Sequence, residues 1–156
     1  MNELIDTSPA PAQAHAAAGP VLPDQLKVLV VEDDEMMHRL IGRALAGLGF
    51  GQVLAAEDGA AGLAAATRER PDIIISDYRM PGMHGLEMVE AIRRDPALDH
   101  VVIIMLSAAD DQHVIEQARD LGADTFMVKP FARADLKRLI DTLYARYNCG
   151  RIQWPG

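Results

Sequence analysis

Asp72-Ile73-Ile74-Ile75-Ser76-Asp77-Tyr78 is an apolar, β-branched run that ends on an acid. Three consecutive isoleucines suit a strand covered on both faces, the usual condition of a strand inside a parallel sheet flanked by helices. A carboxylate at the carboxyl end of such a strand, here Asp77, sits where open α/β sheets bind ligands. Met80-Pro81-Gly82 follows at once, so Asp77 could equally open a turn. What separates site from turn is the chemistry that the other strands bring to the same rim.

Outward from this stretch the chain alternates strand and helix. Lys27 to Val31 is an apolar strand that runs into Glu32-Asp33-Asp34-Glu35. From Met36, the residues Leu40, Ile41, Ala44, Leu45 and Leu48 recur at helical spacing, with acids favouring the first turn and Gly49 as the stop. Gln52 to Ala56 is a short strand, and Asp58 can cap a helix carrying Leu63 and Ala64 that ends before Pro71. After the opening stretch, Gly82 and Gly85 lead into a helix with Leu86, Val89 and Ile92 on one face, ending before Pro96.

Val101 to Leu106 is the fourth strand. Asp110 or Asp111 can cap the next helix, striped by Val114, Ile115, Ala118 and Leu121 and closed by Gly122. Thr125 to Val128 is the last strand, and beyond Lys129-Pro130 a final helix carries Leu136, Leu139, Ile140, Leu143 and Tyr147. Five such alternations predict parallel strands with right-handed crossovers and helices on both faces, a three-layer α/β fold. Residues 1–25, with Pro9, Pro11, Pro20 and Pro23 among many alanines, read as a flexible extension, and residues 148–156 as a short C-terminal tail. In that tail, Trp154 is expected either to pack back or to stay loose.

Composition narrows the function classes. A chain of 156 residues suits one main domain that buries roughly two thirds of its unfolded surface. The single cysteine, Cys149, excludes a disulfide framework within one chain and points to a reducing compartment. A formal net charge of −8 argues against nucleic acid or an anionic membrane as partner. Without an apolar run near the ~20 residues that span a bilayer, a soluble cytoplasmic protein is expected.

In a parallel sheet the strand ends gather on one rim, here bringing together Glu32, Asp33, Asp77, Ser107 and Lys129. Each has an ordinary reading alone: capping acids, a turn acid, a helix-leading serine and a snorkelling lysine. Together they form a set suited to ligand chemistry. Close carboxylates repel by about 4 kcal/mol per pair at an effective dielectric of about 20, so a cation is expected among them. Carboxylate oxygens without His or Cys suit Mg²⁺, which substrate phosphate often completes. An oxygen nucleophile, a metal, an amine and a hydroxyl are the parts phosphoryl transfer needs, with Asp77 as nucleophile of an aspartyl phosphate.

Val30-Val31-Glu32-Asp33-Asp34, Ser76-Asp77-Tyr78-Arg79-Met80-Pro81-Gly82-Met83-His84-Gly85, Leu106-Ser107-Ala108 and Val128-Lys129-Pro130-Phe131, in this order and spacing, resemble the receiver domain of bacterial response regulators in two-component systems. The resemblance covers roughly residues 26–147. It implies a flavodoxin-like five-stranded sheet in the order 2-1-3-4-5. It also implies Asp77 as phosphoacceptor, and Mg²⁺ held at Glu32, Asp33, Asp77 and the main-chain carbonyl of Arg79. Ser107 and Lys129 would contact the phosphoryl group, and Ser107 and Phe126 would form the switch.

The same resemblance implies a single-domain signalling switch rather than a turnover enzyme. Phosphoryl groups would come from a sensor histidine kinase or histidine phosphotransfer protein, and an unknown downstream protein would read the face of the fourth helix, fifth strand and fifth helix. A monomer or a phosphorylation-dependent dimer is expected. The alternatives are a phosphorelay shuttle or phosphate sink, and a receiver-like module that signals without phosphate. A phosphohydrolase with a strand-end Asp would need a second acid two residues on, where this chain has Arg79. His84 stands where the family commonly carries Asp, a change expected to alter turn packing only.

Overall fold

The computed structural model describes residues 20–79, 85–107, 112–148 and 151–155. Its five strands are β1 (Lys27–Val31), β2 (Gln52–Ala56), β3 (Ile73–Asp77), β4 (Val102–Ser107) and β5 (Thr125–Val128). Between and after them run α1 (Glu35–Leu48), α2 (Gly59–Glu69), α3 (Gly85–Arg93), α4 (Gln112–Leu121) and α5 (Arg133–Asn148). All ladders are parallel and the sheet order is β2-β1-β3-β4-β5, as expected of a flavodoxin-like fold.

Alternation along the strands sorts the core into two layers, because successive side chains of a strand point to opposite faces. Val28, Val30, Ile73, Ile75, Ile104 and Leu106 pack with Ile41 and Leu45 of α1 and Leu136, Ile140 and Tyr144 of α5. Leu29, Val31, Ile74, Ile103 and Met105 pack with Ala65 and Ala66 of α2, Met88, Val89 and Ile92 of α3, and Ala118 of α4. Every residue of β3 is buried, which accounts for its unbroken isoleucines.

Helix ends follow local chemistry. Asp34 caps α1 by accepting from the Met36 N–H at 2.9 Å, and Gly49 ends it in the left-handed region at φ 106°. Asp58 caps α2 by accepting from the Ala61 N–H at 2.8 Å. The expected caps of α4 at Asp110 or Asp111 lie outside the described residues.

Some faces are rotated from the pattern read in the sequence. Met36 and Leu40 share helical spacing with the α1 stripe, yet they are 70% and 51% exposed, since the sheet accepts only the narrower line through Ile41, Leu45 and Leu48. In α2, Ala64 faces solvent while Gly62, Ala65 and Ala66 face inward. Gly62 is there because a β-carbon would come within 2.7 Å of Met88 Sδ and 2.9 Å of a Val31 methyl.

The terminal segments meet each other. Val21 and Ile152 form an isolated parallel bridge, and Pro23–Gln25, inside the stretch assigned to the extension, makes a 3₁₀ turn with Pro23 buried. Trp154 packs back onto Phe50, ring centroids 5.8 Å apart and planes at 77°.

Burial also sets an alkaline limit. Tyr144 is buried between α5 and the sheet, and that burial, with the charge of Asp72 second, pushes its phenol from 10.0 up to about 12. A raised value means the unfolded chain loses this proton first. The stability tied to the neutral phenol is therefore intact below pH 10 and lost as pH rises through about 12. Urea-unfolding midpoints measured across that window should fall less steeply in Tyr144→Phe than in the parent chain. Equal slopes would show that this phenol does not set the limit.

Candidate functional site

The carboxyl ends of β1, β3, β4 and β5 converge on one rim, and register decides what meets there. Asp77 pairs with Leu106 across β3 and β4, so Ser107 stands one residue beyond Asp77's neighbour. Ser107 in turn pairs with Val128, and the Lys129 N–H donates to the Ser107 carbonyl at 2.9 Å. On the other side, the Glu32 N–H donates to the Ala56 carbonyl at 3.0 Å, continuing the β1–β2 ladder by one residue. Asp77 and Ser107 are buried, as is Glu32, whereas Asp33 is exposed.

Three carboxylates result. One oxygen from each of Glu32, Asp33 and Asp77 lies within 4.8 Å of the others. Lys129 Nζ donates to Asp77 Oδ1 at 3.1 Å, a half-buried ion pair that offsets one of the three charges. Glu32 Oε2 accepts from the Asp34 N–H at 3.1 Å, but Glu32 Oε1 is buried and has no hydrogen-bond partner among the described residues. Burial, chiefly, pushes the Glu32 carboxyl from 4.5 up to about 7, and the Asp77 charge adds to it while the Asp34 N–H and Lys129 oppose it.

An orphaned buried carboxylate oxygen facing two more acids is a poor resting place for charge and a good one for a hard divalent cation. The donors are all oxygens, which suits the alkaline-earth class rather than a zinc or copper site. The residues present therefore fit such an ion.

The backbone around Asp77 is closely built. Ser76 Oγ donates to the Asp77 carbonyl at 3.0 Å, and the Tyr78 N–H donates to the Leu106 carbonyl at 2.9 Å. Gly85, the first residue of α3, lies so near that a β-carbon would come within 2.6 Å of the Asp77 carbonyl oxygen and 2.7 Å of Met105 Cε. The sequence marked Gly85 as part of a turn; its role in letting α3 approach the acid-bearing strand needed the register to see. Arg79, two residues beyond Asp77, holds its guanidinium 5.9 Å from the Tyr78 ring centroid. Met80 to His84 lie outside the described residues.

Phe126 is not part of the acidic cluster. It pairs with Met105 in the register, is half-buried, and lines a crevice with Ile115, Ala118 and Arg119 of α4. The structure thus brings Glu32, Asp33, Asp77 and Lys129 into one cluster, with Ser107 at its edge and Phe126 on the adjoining strand three residues before Lys129.

Against known proteins, a family model described as the response regulator receiver domain matches residues 28–141. The chain is 32% identical over 126 residues to chemotaxis protein CheY-3 of Vibrio cholerae, covering 81% of this chain and 97% of that protein. It is 33% identical over 123 residues to chemotaxis protein CheY of Pseudomonas aeruginosa, covering 79% and 99%. The solved structure of the chemotaxis response regulator CheY4 of Vibrio cholerae superposes with a TM-score of 0.70 at 32% identity, covering 76% of this chain and 98% of that one.

The crowding of acids has a measurable consequence. A carboxyl raised to about 7 stabilises the fold below 4.5, and that contribution is lost as pH rises through about 7. Without divalent cations, Glu32→Gln should therefore unfold at higher urea than the parent chain at pH 8, and the advantage should shrink toward pH 5. A divalent cation should raise the parent's midpoint more than the variant's. A variant that is less stable than the parent at both pH values would show that Glu32 is not strained by its neighbours.

Proposed function

The chain belongs to the response regulator receiver family, and from that premise we propose that it is a phosphorylation-controlled switch whose phosphoacceptor is Asp77. The observation that carries the reading is the pairing of Lys129 Nζ with Asp77 Oδ1 at 3.1 Å inside a cluster of three carboxylates. An Asp carboxylate alone is a weak nucleophile toward phosphorus, because its own charge and that of its neighbours repel the phosphoryl oxygens. The amine of Lys129 offsets part of that repulsion before any substrate arrives.

In the proposed reaction one Asp77 carboxylate oxygen attacks the phosphorus of a phosphohistidine on a kinase or phosphotransfer protein. The O–P bond forms and the N–P bond breaks, and the imidazole nitrogen keeps the electron pair and takes a proton. Glu32, Asp33, Asp77 and the main-chain carbonyl of Arg79 would hold Mg²⁺, whose chemistry is to neutralise and orient phosphoryl oxygens. Lys129 and the Ser107 hydroxyl would donate to the remaining oxygens. Attack of water on phosphorus later returns the Asp77 carboxylate and inorganic phosphate. The chain promotes only its own phosphorylation and dephosphorylation, and as a cytoplasmic switch it turns over no separate substrate.

Readout follows from where the donors sit. Lys129 continues β5, and Ser107 ends β4, so the charge and three acceptor oxygens added at Asp77 act on both strands. Phe126 lies on the same short strand against α4, and its reorientation would carry the change to the α4-β5-α5 face, where a downstream protein binds. Moving a two-state equilibrium from 1:99 to 99:1 requires about 5.5 kcal/mol of preference, within reach of several charge-assisted hydrogen bonds.

Incubation with acetyl phosphate and Mg²⁺ should add one phosphoryl group, seen by intact-protein mass spectrometry and lost on mild base treatment. Asp77→Asn should take none, and Lys129→Gln should label on the order of a hundredfold more slowly. Equal labelling of parent and Asp77→Asn would move the acceptor elsewhere. No labelling of the parent by acetyl phosphate or a phosphohistidine donor would leave a module that signals without phosphate.

A further inference from the structure

The face made by α1, α5 and the terminal segments carries chemistry that the rim does not use. Trp154 is the chain's one tryptophan. Its indole N–H donates to Asp141 Oδ1 at 3.3 Å, and Lys137 Nζ lies 5.5 Å from the ring centroid. Between Trp154, Pro155, Gly47 and Leu48 of α1, and Arg133 and Lys137 of α5, lies an open groove of about 250 Å³. Arg133 is seated there by the absence of a side chain at Gly47, where a β-carbon would come within 2.1 Å of its Nη1.

The charged side chains that line the groove, Arg133 and Lys137, are cationic, and the one acid beside it, among the described residues, is Asp141 at the indole N–H. Neither Arg133 nor Lys137 has an ion-pair partner among the described residues, and the same holds for Arg43, one helical turn from Gly47 on α1. Arg133 and Lys137 are four residues apart on α5, so they rise from one helical face. On a chain of formal net charge −8, a paired cationic spot with an indole beside it points to an acidic ligand with some apolar character.

One such ligand is already attached. The Val21 N–H donates to the Arg151 carbonyl at 2.9 Å and the Gln153 N–H donates to the Val21 carbonyl at 2.8 Å, locking the two ends of the domain together. Pro23 and Pro155 both abut Gly49. The chain therefore leaves the described structure at Pro20 beside the segment that carries Trp154. Residues 1–19 hold Glu3 and Asp6 around Leu4 and Ile5, and no Lys or Arg.

We propose that residues 1–19 dock in cis in this groove, with the carboxylates of Glu3 and Asp6 on Arg133 and Lys137 beside the Trp154 indole. Reach is ample, because the fourteen-residue separation of Asp6 from Pro20 spans about 46 Å when extended and about 20 Å as a coil. Two surface ion pairs bind weakly between separate molecules. A tether of this length supplies an effective concentration on the order of millimolar, so weak contacts suffice for occupancy. The docked extension covers the α1–α5 seam and withdraws it from other partners, which goes beyond the switch proposed at Asp77 and does not depend on it.

Trp154 is both a wall of the groove and the only indole, so acrylamide quenching of its fluorescence in the full chain reads occupancy directly. Glu3→Lys with Asp6→Lys should raise the quenching constant about twofold, and salt should do the same to the parent. Adding Arg133→Glu and Lys137→Glu to that variant should restore protection, since the swapped charges attract again. Urea midpoints check that each variant is folded, with Arg133→Gln and Lys137→Gln as the milder pair. Equal quenching of the parent and Glu3→Lys/Asp6→Lys, or no rescue by the swap, would overturn the proposal. So would protection of both chains alike by inorganic phosphate, which would mark a small-anion site, or by self-association in sedimentation, which would mark a second copy.

Discussion

Everything at the rim depends on holding Asp77 at the end of a strand that has no solvent-facing side. β3 is buried along its length, paired with β1 on one side and β4 on the other, so the acid cannot drift without breaking two ladders. Its neighbours are fixed by the parallel registers of the sheet: Glu32 and Asp33 one and two steps beyond β1, Ser107 at the end of β4 and Lys129 one step beyond β5. The cost of this arrangement is electrostatic, with three carboxylates in reach of one another and, among the described residues, a single amine beside them. Packing of the isoleucine layers on both faces of the sheet supplies the stability against which that cost is set.

The features visible in the sequence are those written in local patterns. Ile73-Ile74-Ile75 announces a doubly covered strand, Asp34 and Asp58 announce helix starts, and Gly49 and Gly122 take the positive φ expected of helix stops. Glu32, Asp33, Asp77 and Lys129 are legible in the sequence as a cluster because parallel strands deliver their ends to one edge, so chain order alone predicts the meeting. What stayed hidden depends on pairs distant in sequence. Met36 and Leu40 look like core by spacing, and only the width of the sheet beneath α1 shows that they are not. Gly62 and Gly85 look like breakers or turn formers, while their function is to let α2 and α3 approach Val31 and the Asp77 carbonyl.

A second example lies at the opposite end of the sheet. Arg93, at the end of α3, donates through Nη2 to Asp124 Oδ2 at 3.0 Å and through Nε to the Gly122 carbonyl at 2.9 Å. Asp124 also accepts from the Ile103 N–H at 2.7 Å and from the Tyr147 hydroxyl of α5, and the Arg93 guanidinium lies 5.6 Å from the Tyr147 ring centroid. One acid thus joins α3, β4, the entry to β5 and α5 around the sheet's edge. Nothing in the local sequence at Ala123-Asp124-Thr125 signals this, because its partners come from 31 residues before and 23 residues after.

The two ends of β5 are therefore held by different chemistry. At its start, Asp124 is fixed by hydrogen bonds to backbone and side chains from three elements, most of them shielded from solvent. At its end, among the described residues, Lys129 is held by one ion pair to Asp77 and one backbone bond to Ser107. In the proposed switch a change of charge at Asp77 would act on the loosely held end and leave the other anchored, since removing a single amine contact is easier than dissolving a shared network. Any such displacement would be absorbed along the four residues between, and Phe126, half-buried against α4, is the large side chain placed there. In the proposed switch, this asymmetry in how β5 is tethered, more than any single contact, would let a local charge at the rim reach the α4 surface while the remainder of the sheet keeps its register.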